Sequence, residues 1–368
     1  MKRNTLLLFS LLTSSVLLAS NERVNEVVSD TSRVVDLDEV TIVSQTKEYL
    51  KMRQQPLSSS VLTNQEITLL GVHDLRALSD YVPSFVMPVY GSRYTSSIYV
   101  RGIGSRINSP SMGVYLDDIP LMSKSTFNSH SYELDRVDVL RGPQGTLYGI
   151  NTEGGMVRMY SKNPMSYQGT DVSLGIGNHF YRNAEVTLYH KFNDKVALSL
   201  AGFYNGTNGF FTNEETGDRS DESNEAGGRL RLVMQPSDRL TLNLMVDYQW
   251  VRQNGFAYGR LDMDTQEAVA PSTNHQGNYM RNMLNTGLNV KYRGDWADVS
   301  YTLSWQYLKD DMLMDIDYRP LDYMLMEQAQ LQNATTHELV LKGRQTGIWQ
   351  GTTGLFFSRQ WLKTDAPV

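Results

Sequence analysis

The 368-residue sequence contains no cysteine and only six histidines, and these two shortages exclude several kinds of site. Without cysteine there can be no disulfide bond and no metal site built on thiolates. No histidine has a second histidine or a serine nucleophile motif at a useful spacing in the sequence. We therefore predict that the chain is not an enzyme, needs no cofactor and has no metal site.

Basic residues are also too few and too scattered for nucleic-acid binding. The chain has 34 Lys and Arg residues against 40 Asp and Glu residues, which gives a formal net charge of -6, and it has no long basic run. Binding to nucleic acid needs concentrated positive charge to neutralise phosphates. We expect no nucleic-acid partner.

The apolar segment at the N-terminus is too short and too interrupted to span a membrane as a helix. Residues 1–20 start with Lys2 and Arg3, continue with an apolar core and end in small residues. This pattern is typical of a signal peptide. Residues 21–38 are polar and acidic and lack aromatic residues, so we expect a flexible leader there.

From Gly169 onward, apolar and polar residues alternate. In Leu240 to Trp250 every second residue is apolar, and Ala184 to Phe192 and Ala297 to Tyr307 follow nearly the same pattern. A strand with one face toward lipid and the other toward water has this period of two, and a tilted strand of this length crosses a bilayer. Further strands are expected at about 169–177, 196–204, 229–235, 284–292, 336–343 and 348–358.

The connections between these strands are of two kinds. Tight turns are expected at 193–194, 236–238, 293–295 and 344–347, and long polar loops at 205–228, 252–280 and 309–328. Outer-membrane barrels have short periplasmic turns and long external loops. The asymmetry therefore favours a transmembrane barrel over a soluble β-sandwich, which does not need it.

Residues 45–165 have a mixed pattern that predicts a small α+β domain. The segments 63–70 and 72–79 carry helical signals. The segment 134–140 alternates like a short strand and leads into a glycine-rich turn at 142–149. Glycine leaves little side chain there, so neighbouring groups can approach the backbone closely.

Four stretches of this domain form one ordered signature. They are YVRGIG at Tyr99 to Gly104, GVYLDDIP at Gly113 to Pro120, LDRVDVLRGPQGTLYG at Leu134 to Gly149 and NTEGGMVRMYSK at Asn151 to Lys162. In this order they resemble the plug domain of TonB-dependent outer-membrane receptors. The family usually has Asp-Gly where this chain has Asp117 and Asp118. Aspartate tolerates left-handed backbone conformations better than most residues, so we expect the turn to be strained but intact.

The resemblance implies a mainly β protein with four segments. These are a signal peptide at 1–20, a flexible leader with a TonB box at 21–44, a small α+β plug domain at 45–165, and the N-terminal part of an antiparallel transmembrane β-barrel at 166–368. About nine strands are expected in the last segment, whereas plugged transporters have about 22. We therefore expect an incomplete barrel.

The same resemblance implies a function in energised uptake of a scarce solute across the bacterial outer membrane, with a ferric siderophore as the first candidate. The implied partners are the TonB energy-transducing complex in the periplasm, outer-membrane lipid and the small-molecule ligand. Three alternatives stay open: a passive porin, a surface-binding outer-membrane protein and a non-functional fragment of a receptor.

The TonB box is expected where the leader ends in a β-prone run. An extended segment of this kind can add a strand to the sheet of a partner. The alternative interpretation is that the run forms the first strand of the plug. The residues of the predicted box are Asp38, Glu39, Val40, Thr41, Ile42 and Val43.

Two further sets of residues are predicted within the plug. Cations beside aromatic rings suit an anionic, partly aromatic chelate, and this predicts a ligand site at Arg93, Tyr94, Lys124 and Phe127. Arg101 and Arg141 each precede a glycine, and the resemblance implies that they face the barrel wall. Carboxylates on the polar faces of the strands, at Glu185, Asp247 and Asp298, are expected to pair with them. The alternative is that both arginines anchor turns inside the plug.

Overall fold

A computed structural model of the protein describes residues 58–88, 93–105, 109–344 and 351–367. Most of these residues lie in two sheets, one of five strands in the first part of the described chain and one of nine strands in the rest. The prediction of a mainly β protein with a small α+β domain followed by about nine antiparallel strands is confirmed.

The first part of the described chain, residues 58–161, is an α+β unit that we call the plug. Its strands are β1 (Ser58–Thr63), β2 (Phe85–Val86), β3 (Tyr99–Val100), β4 (Met112–Leu116), β5 (Ile119–Leu121), β6 (Leu134–Arg141) and β7 (Gly155–Ser161), and its helices are α1 (Asn64–Leu70), α2 (Leu78–Tyr81) and α3 (Gly145–Tyr148). The five-stranded sheet has the order β1-β6-β7-β4-β5, with β4 and β7 parallel and the other neighbours antiparallel. Strands β2 and β3 form a separate pair.

The helices of the plug follow the sequence signals only in part. Helix α1 lies within the predicted segment 63–70 and begins with a capping box, in which the side chains of Thr63 and Glu66 each accept a hydrogen bond from the other's backbone amide. The predicted helix at 72–79 is wrong, because α2 covers only Leu78–Tyr81. The amide of Ala77 donates to Asp74 Oδ1 at 2.8 Å, and the carbonyl of His73 accepts from Ser131 at 2.7 Å. In a helix the amide of Ala77 would donate to the carbonyl of His73, but here each group has another partner. Among the described residues, no helix is long and apolar enough to cross a membrane.

The turn between β4 and β5 forms with aspartate in both central positions. Asp117 has φ 49° and Asp118 has φ 68°, and Leu116 pairs directly with Ile119 across the turn. A two-residue hairpin with both central residues left-handed is a type I′ turn, which normally favours glycine or asparagine. The expected intact turn with left-handed aspartates is confirmed.

The nine-stranded sheet, which we call the wall, is a meander in which every strand pairs antiparallel with the strands next to it in sequence. Its strands are β8 (Gly169–Gly177), β9 (Tyr181–Asn193), β10 (Val196–Thr207), β11 (Ser223–Ser237), β12 (Leu240–Gln253), β13 (Asn278–Arg293), β14 (Ala297–Asp315), β15 (Leu325–Gly343) and β16 (Thr352–Asp365). Several strands extend beyond their predicted limits on the side of the long loops. Backbone pairing there continues through residues that are polar on both faces, such as Ser223, Asn224 and Glu225 at the start of β11, and a period-two pattern cannot detect such residues.

Strand β12 has one exposed apolar face and one face that is buried against the plug. Leu244, Val246 and Tyr248 are exposed on one face, whereas Met245 and Asp247 are buried on the other. Met245 belongs to the same apolar cluster as the core of the plug. The plug therefore lies against the polar face of the wall, and the apolar face is left for lipid.

Substitution of Gly155 by alanine should disrupt the plug sheet. Gly155 has φ +139°, and a Cβ at this position would lie 2.2 Å from the carbonyl oxygen of Leu140 on the neighbouring strand. We expect a destabilisation of about 2 kcal/mol or more, since neither the backbone strain nor the clash can be relieved by a side-chain movement. Hydrogen exchange of the amides in β6 and β7 would measure it.

The matched control is Gly145→Ala, because a Cβ there meets nothing closer than Thr152 Oγ1 at 3.9 Å. This variant should exchange like the parent chain. Equal exchange rates in the two alanine variants would contradict the packing shown for β6 and β7.

Candidate functional site

The contact between plug and wall is built on buried charges, with Arg229 of β11 at its centre. Its Nε lies 3.2 Å from Asp247 Oδ1 of the wall, and its Nη1 donates to the carbonyl of Tyr132 at 3.1 Å and to Ser161 Oγ at 3.2 Å in the plug. The guanidinium also lies 4.4 Å from the centre of the Tyr132 ring. Arg229 is only 2% exposed. A guanidinium buried to this degree requires such partners.

Arg231 lies two residues further along β11 and extends this network into the plug. Its Nε is 3.3 Å from Asp117 Oδ2 and its Nη1 is 3.7 Å from Glu133 Oε1, while Nη1 also donates to the carbonyl of Lys162. Burial raises the pKa of Glu133, although Arg229 and Arg231 both act to lower it. Desolvation is therefore the largest single influence on this carboxyl group.

The two aspartates of the type I′ turn both dock the plug on the wall. Asp118 Oδ2 lies 2.8 Å from Nζ of Lys291, and the carbonyl of Asp117 accepts a hydrogen bond from Asn289 Nδ2 at 2.8 Å. Both wall residues belong to β13. At the position where the resemblance leads us to expect glycine, this chain has a carboxylate paired with a wall lysine.

Neutral amides of the wall bind the backbone of the plug. Gln306 accepts from the amide of Met122 at 3.1 Å and donates to the carbonyl of Pro120, and Gln249 donates to the carbonyl of His130. The plug also packs closely on the wall at Gly287 of β13, because a Cβ at this position would lie 1.9 Å from Ile119 Cδ1. Polar and steric contacts thus specify one position of the plug against the wall.

A second charged region lies closer to the long loops. Arg93 pairs with Glu225, donates through Nε to Gln253 Oε1 at 2.9 Å and donates through Nη1 to the carbonyl of Asn128 at 3.2 Å. Arg281 of β13 is fully buried and donates to Asn128 Oδ1 at 2.6 Å and to the carbonyl of Ser125. These arginines bind plug and wall together.

Two plug histidines meet a wall carboxylate in the same region. His130 Nε2 is 2.9 Å and His73 Nδ1 is 3.4 Å from Glu185 Oε1, and the two imidazole rings are stacked with centres 5.7 Å apart. The hydrogen bond with Glu185 raises the pKa of His73. Sequence reasoning missed this group, because its members are far apart in the chain and only the tertiary fold brings them together.

A cavity of about 570 Å³ opens between plug and wall beside these residues. Arg93, His73 and His130 line it from the plug, and Glu225 lines it from the wall. Its remaining lining includes aromatic residues from the first two long loops and the adjoining strand, namely Tyr181, Phe210, Phe211, Phe256 and Tyr258. The cavity therefore lies at the long-loop end of the wall and combines charge with aromatic surface.

The four predicted ligand residues do not share one cavity. Arg93 lines the 570 Å³ cavity, whereas Tyr94 and Lys124 line another of about 820 Å³. Tyr94 Oη donates to wall carbonyls, and Lys124 Nζ donates to the carbonyl of Ser105, while burial lowers the lysine pKa. Phe127 is 2% exposed within the apolar core. Their role in ligand binding stays a prediction.

The two arginines predicted to contact the wall lie in other surroundings. Arg141 donates through Nη1 to the carbonyl of Pro83 at 2.9 Å, which is the turn-anchoring alternative. Arg101 is exposed, with φ 52°, and its amide donates to the carbonyl of Ser84. Within the described residues neither arginine forms an ion pair with the wall, so their contact with it stays a prediction.

Two of the wall carboxylates predicted to pair with these arginines contact other residues of the plug. Glu185 contacts His73 and His130, and Asp247 contacts Tyr132. Asp298 pairs instead with Arg344 of the wall. The predicted signal peptide, leader and TonB box at Asp38 to Val43 lie outside the described residues.

A small α+β domain seated by buried polar contacts against an antiparallel meander of long strands defines the class of plugged barrel proteins. Comparison with known proteins shows what this arrangement is similar to. Residues 51–156 match the TonB-dependent receptor plug domain. The chain is thus similar to TonB-dependent receptors in its plug, and similarity to one such relative covers 71% of the chain.

Two sequence relatives and one solved structure resemble different shares of the chain. The chain is 29% identical over 181 residues to the vitamin B12 transporter of Vibrio vulnificus, covering 45% of this chain and 28% of the relative. It is 26% identical over 264 residues to the pesticin receptor of Yersinia enterocolitica, covering 71% and 37%. The crystal structure of the ferric yersiniabactin uptake receptor from Yersinia pestis matches with a TM-score of 0.74 and 20% identity, covering 84% of this chain and 49% of that structure. The chain thus spans about half of that structure and a smaller share of the two sequence relatives.

Removal of one hydroxyl group should test the central network. Tyr132 Oη donates to Asp247 Oδ1 at 2.5 Å in a buried setting. Tyr132→Phe should loosen the plug by about 1 to 2 kcal/mol, or roughly tenfold faster exchange of plug amides, because a charge-assisted hydrogen bond is lost.

Tyr248→Phe is the matched control, since its hydroxyl donates to Asn282 Oδ1 on the exposed face of the wall. This variant should leave plug exchange unchanged. Protection of the plug that is the same in both variants would show that the Tyr132 hydroxyl does not hold the plug.

Proposed function

We propose that the chain acts in TonB-dependent, energised uptake of a scarce solute across the bacterial outer membrane, with a ferric siderophore as the substrate class. The observation that carries this proposal is the polar seat of the plug. The plug is joined to the wall by ion pairs and by hydrogen bonds from side-chain amides, and water can replace these partners when the plug is pulled. Apolar contacts between plug and wall would be lost without such a replacement.

The relatives support a transport function of this kind. One is named as a vitamin B12 transporter and another as a ferric yersiniabactin uptake receptor. Both names describe transport or uptake, and neither describes an enzyme. We propose no catalytic step for this chain.

The cavity at the long-loop end supports the choice of an anionic, partly aromatic substrate. Phe210 and Phe211 are more than half exposed in the loop between β10 and β11, and both line the 570 Å³ cavity together with Arg93. Aromatic rings next to a cation suit stacking and charge contacts with an iron chelate. Long loops of outer-membrane barrels face the outside, where such a substrate arrives.

Energy coupling depends on the predicted TonB box. Val40→Pro or Ile42→Pro should abolish crosslinking to the TonB partner and reduce uptake to the level of cells without TonB, because proline removes a ladder donor from the added strand. Binding of the ligand at the cell surface should be retained. Val27→Pro, in the preceding polar segment, is the control and should leave both uptake and crosslinking intact.

Crosslinking that persists in both proline variants would place the box elsewhere in the chain. Uptake that survives deletion of residues 38–44 would instead favour a passive porin or a surface-binding protein.

The substrate site can be tested at the aromatic rim of the cavity. In a binding panel of ferric siderophores, cobalamin and glycans, the double variant Phe210→Ala, Phe211→Ala should bind the cognate ligand about tenfold or more weakly, which corresponds to about 1.4 kcal/mol. Tyr323→Ala in the third long loop is the control, since Tyr323 is 81% exposed and does not line this cavity. Unchanged affinity in the double variant would contradict a substrate site at this rim.

A further inference from the structure

We infer that His73 Nδ1, His130 Nε2 and Glu185 Oε1 form a binding site for a divalent transition-metal ion of the zinc class, which ties the plug to the wall. The inference does not depend on the proposed transport function.

The positions of the three atoms fit a metal centre. Glu185 Oε1 lies 2.9 Å from His130 Nε2 and 3.4 Å from His73 Nδ1, and the candidate ligand atoms all lie within 4.8 Å of one another. Around a tetrahedral zinc ion with bonds of about 2.0 to 2.1 Å, the ligand atoms are roughly 3.3 Å apart. Small side-chain rotations therefore suffice to bring the three donors around one ion.

The donor set is one that such ions prefer. Two imidazole nitrogens and one carboxylate oxygen suit zinc and related first-row metals, and they leave a fourth position for water or another ligand. His73 has a side chain that is 45% exposed, and both histidines line the 570 Å³ cavity. An ion can thus enter from the cavity, and the fourth position can face it.

The surroundings hold the ligands in place before any ion binds. The His130 ring is 4% exposed and stacks on Phe203 with centres 4.3 Å apart. Its carbonyl accepts from Gln249, and the carbonyl of His73 accepts from the amide of Ser131. Ordered ligands lose less entropy on coordination, so this support favours metal binding.

The site has a structural consequence, because its ligands come from both units. His73 follows helix α1 and His130 precedes strand β6 in the plug, whereas Glu185 belongs to strand β9 of the wall. A bound ion would add a crosslink between plug and wall. The alternative is that the three side chains are joined by hydrogen bonds alone. In that case metal ions would not change the dynamics of the plug.

The test uses the purified full chain in detergent, stripped with a chelator, at pH 7.5. Titration with Zn²⁺ against a chromophoric chelator should show one tightly bound ion, and Co²⁺ should give the visible spectrum of a four-coordinate centre. Zn²⁺ should also slow hydrogen exchange of plug amides around His73 and His130. His73→Ala and Glu185→Gln should each weaken zinc binding by about 100-fold or more and abolish the slowing.

His275→Ala is the matched control, because it removes a histidine that pairs with Asp322 at 3.1 Å on the surface of the long loops. It should bind zinc like the parent chain. His73 is the safer ligand to change, since it is more exposed than His130, and circular dichroism would confirm that each variant is folded. A parent chain that binds no zinc, variants at His73 and Glu185 that bind it normally, or loss of zinc only in His275→Ala would overturn the inference.

Discussion

The pairing of charges buried between plug and wall is the constraint on which the rest of the structure depends. Arg229 and Arg231 reach inward from β11 with almost no exposure to solvent, and each must find acceptors on the plug. Removal of a guanidinium from water costs several kcal/mol unless carboxylates and carbonyls replace the lost hydration. The plug therefore has to occupy the position in which Glu133 and Asp117 meet these arginines.

Such a network contributes more to specificity than to net stability. Burial raises the pKa of Glu133 although its two arginines act to lower it, and the desolvation of buried ion pairs can exceed their Coulombic gain. Charges of opposite sign alternate between the two units, since plug carboxylates meet wall arginines while Arg93 meets Glu225 of the wall. A plug shifted by one strand register would leave these charges unpaired, so the network selects a single docked position.

Much of the architecture follows from local patterns in the sequence. The alternation in β12 separates an exposed apolar face from a buried polar face, and the turn chemistry of Asp117 and Asp118 matches the left-handed backbone at both residues. These features are readable because each depends on residues close together in the chain. The segment 72–79 looked helical for the same local reasons, but the Asp74 side chain and the distant Ser131 amide took the groups that a helix needs.

The candidate site was less predictable, because its contacts join distant segments. Arg93 was expected to face a ligand, yet it also pairs with Glu225 on β11. Glu185 and Asp247 were expected to receive Arg101 or Arg141, but they receive histidines and Tyr132. A strand pattern shows which residues point toward the lumen, but it does not show which plug side chain lies opposite each of them.

The account is tested most directly by the coupling free energy between Glu133 of the plug and Arg231 of the wall. Hydrogen exchange of plug amides in the parent chain, Glu133→Gln, Arg231→Met and the double variant would give the free energy of plug release in each. Charges that hold the plug in place predict a favourable coupling of about 1.5 kcal/mol or more between the two residues. Effects that add to within about 0.5 kcal/mol would contradict a plug seated by paired buried charges.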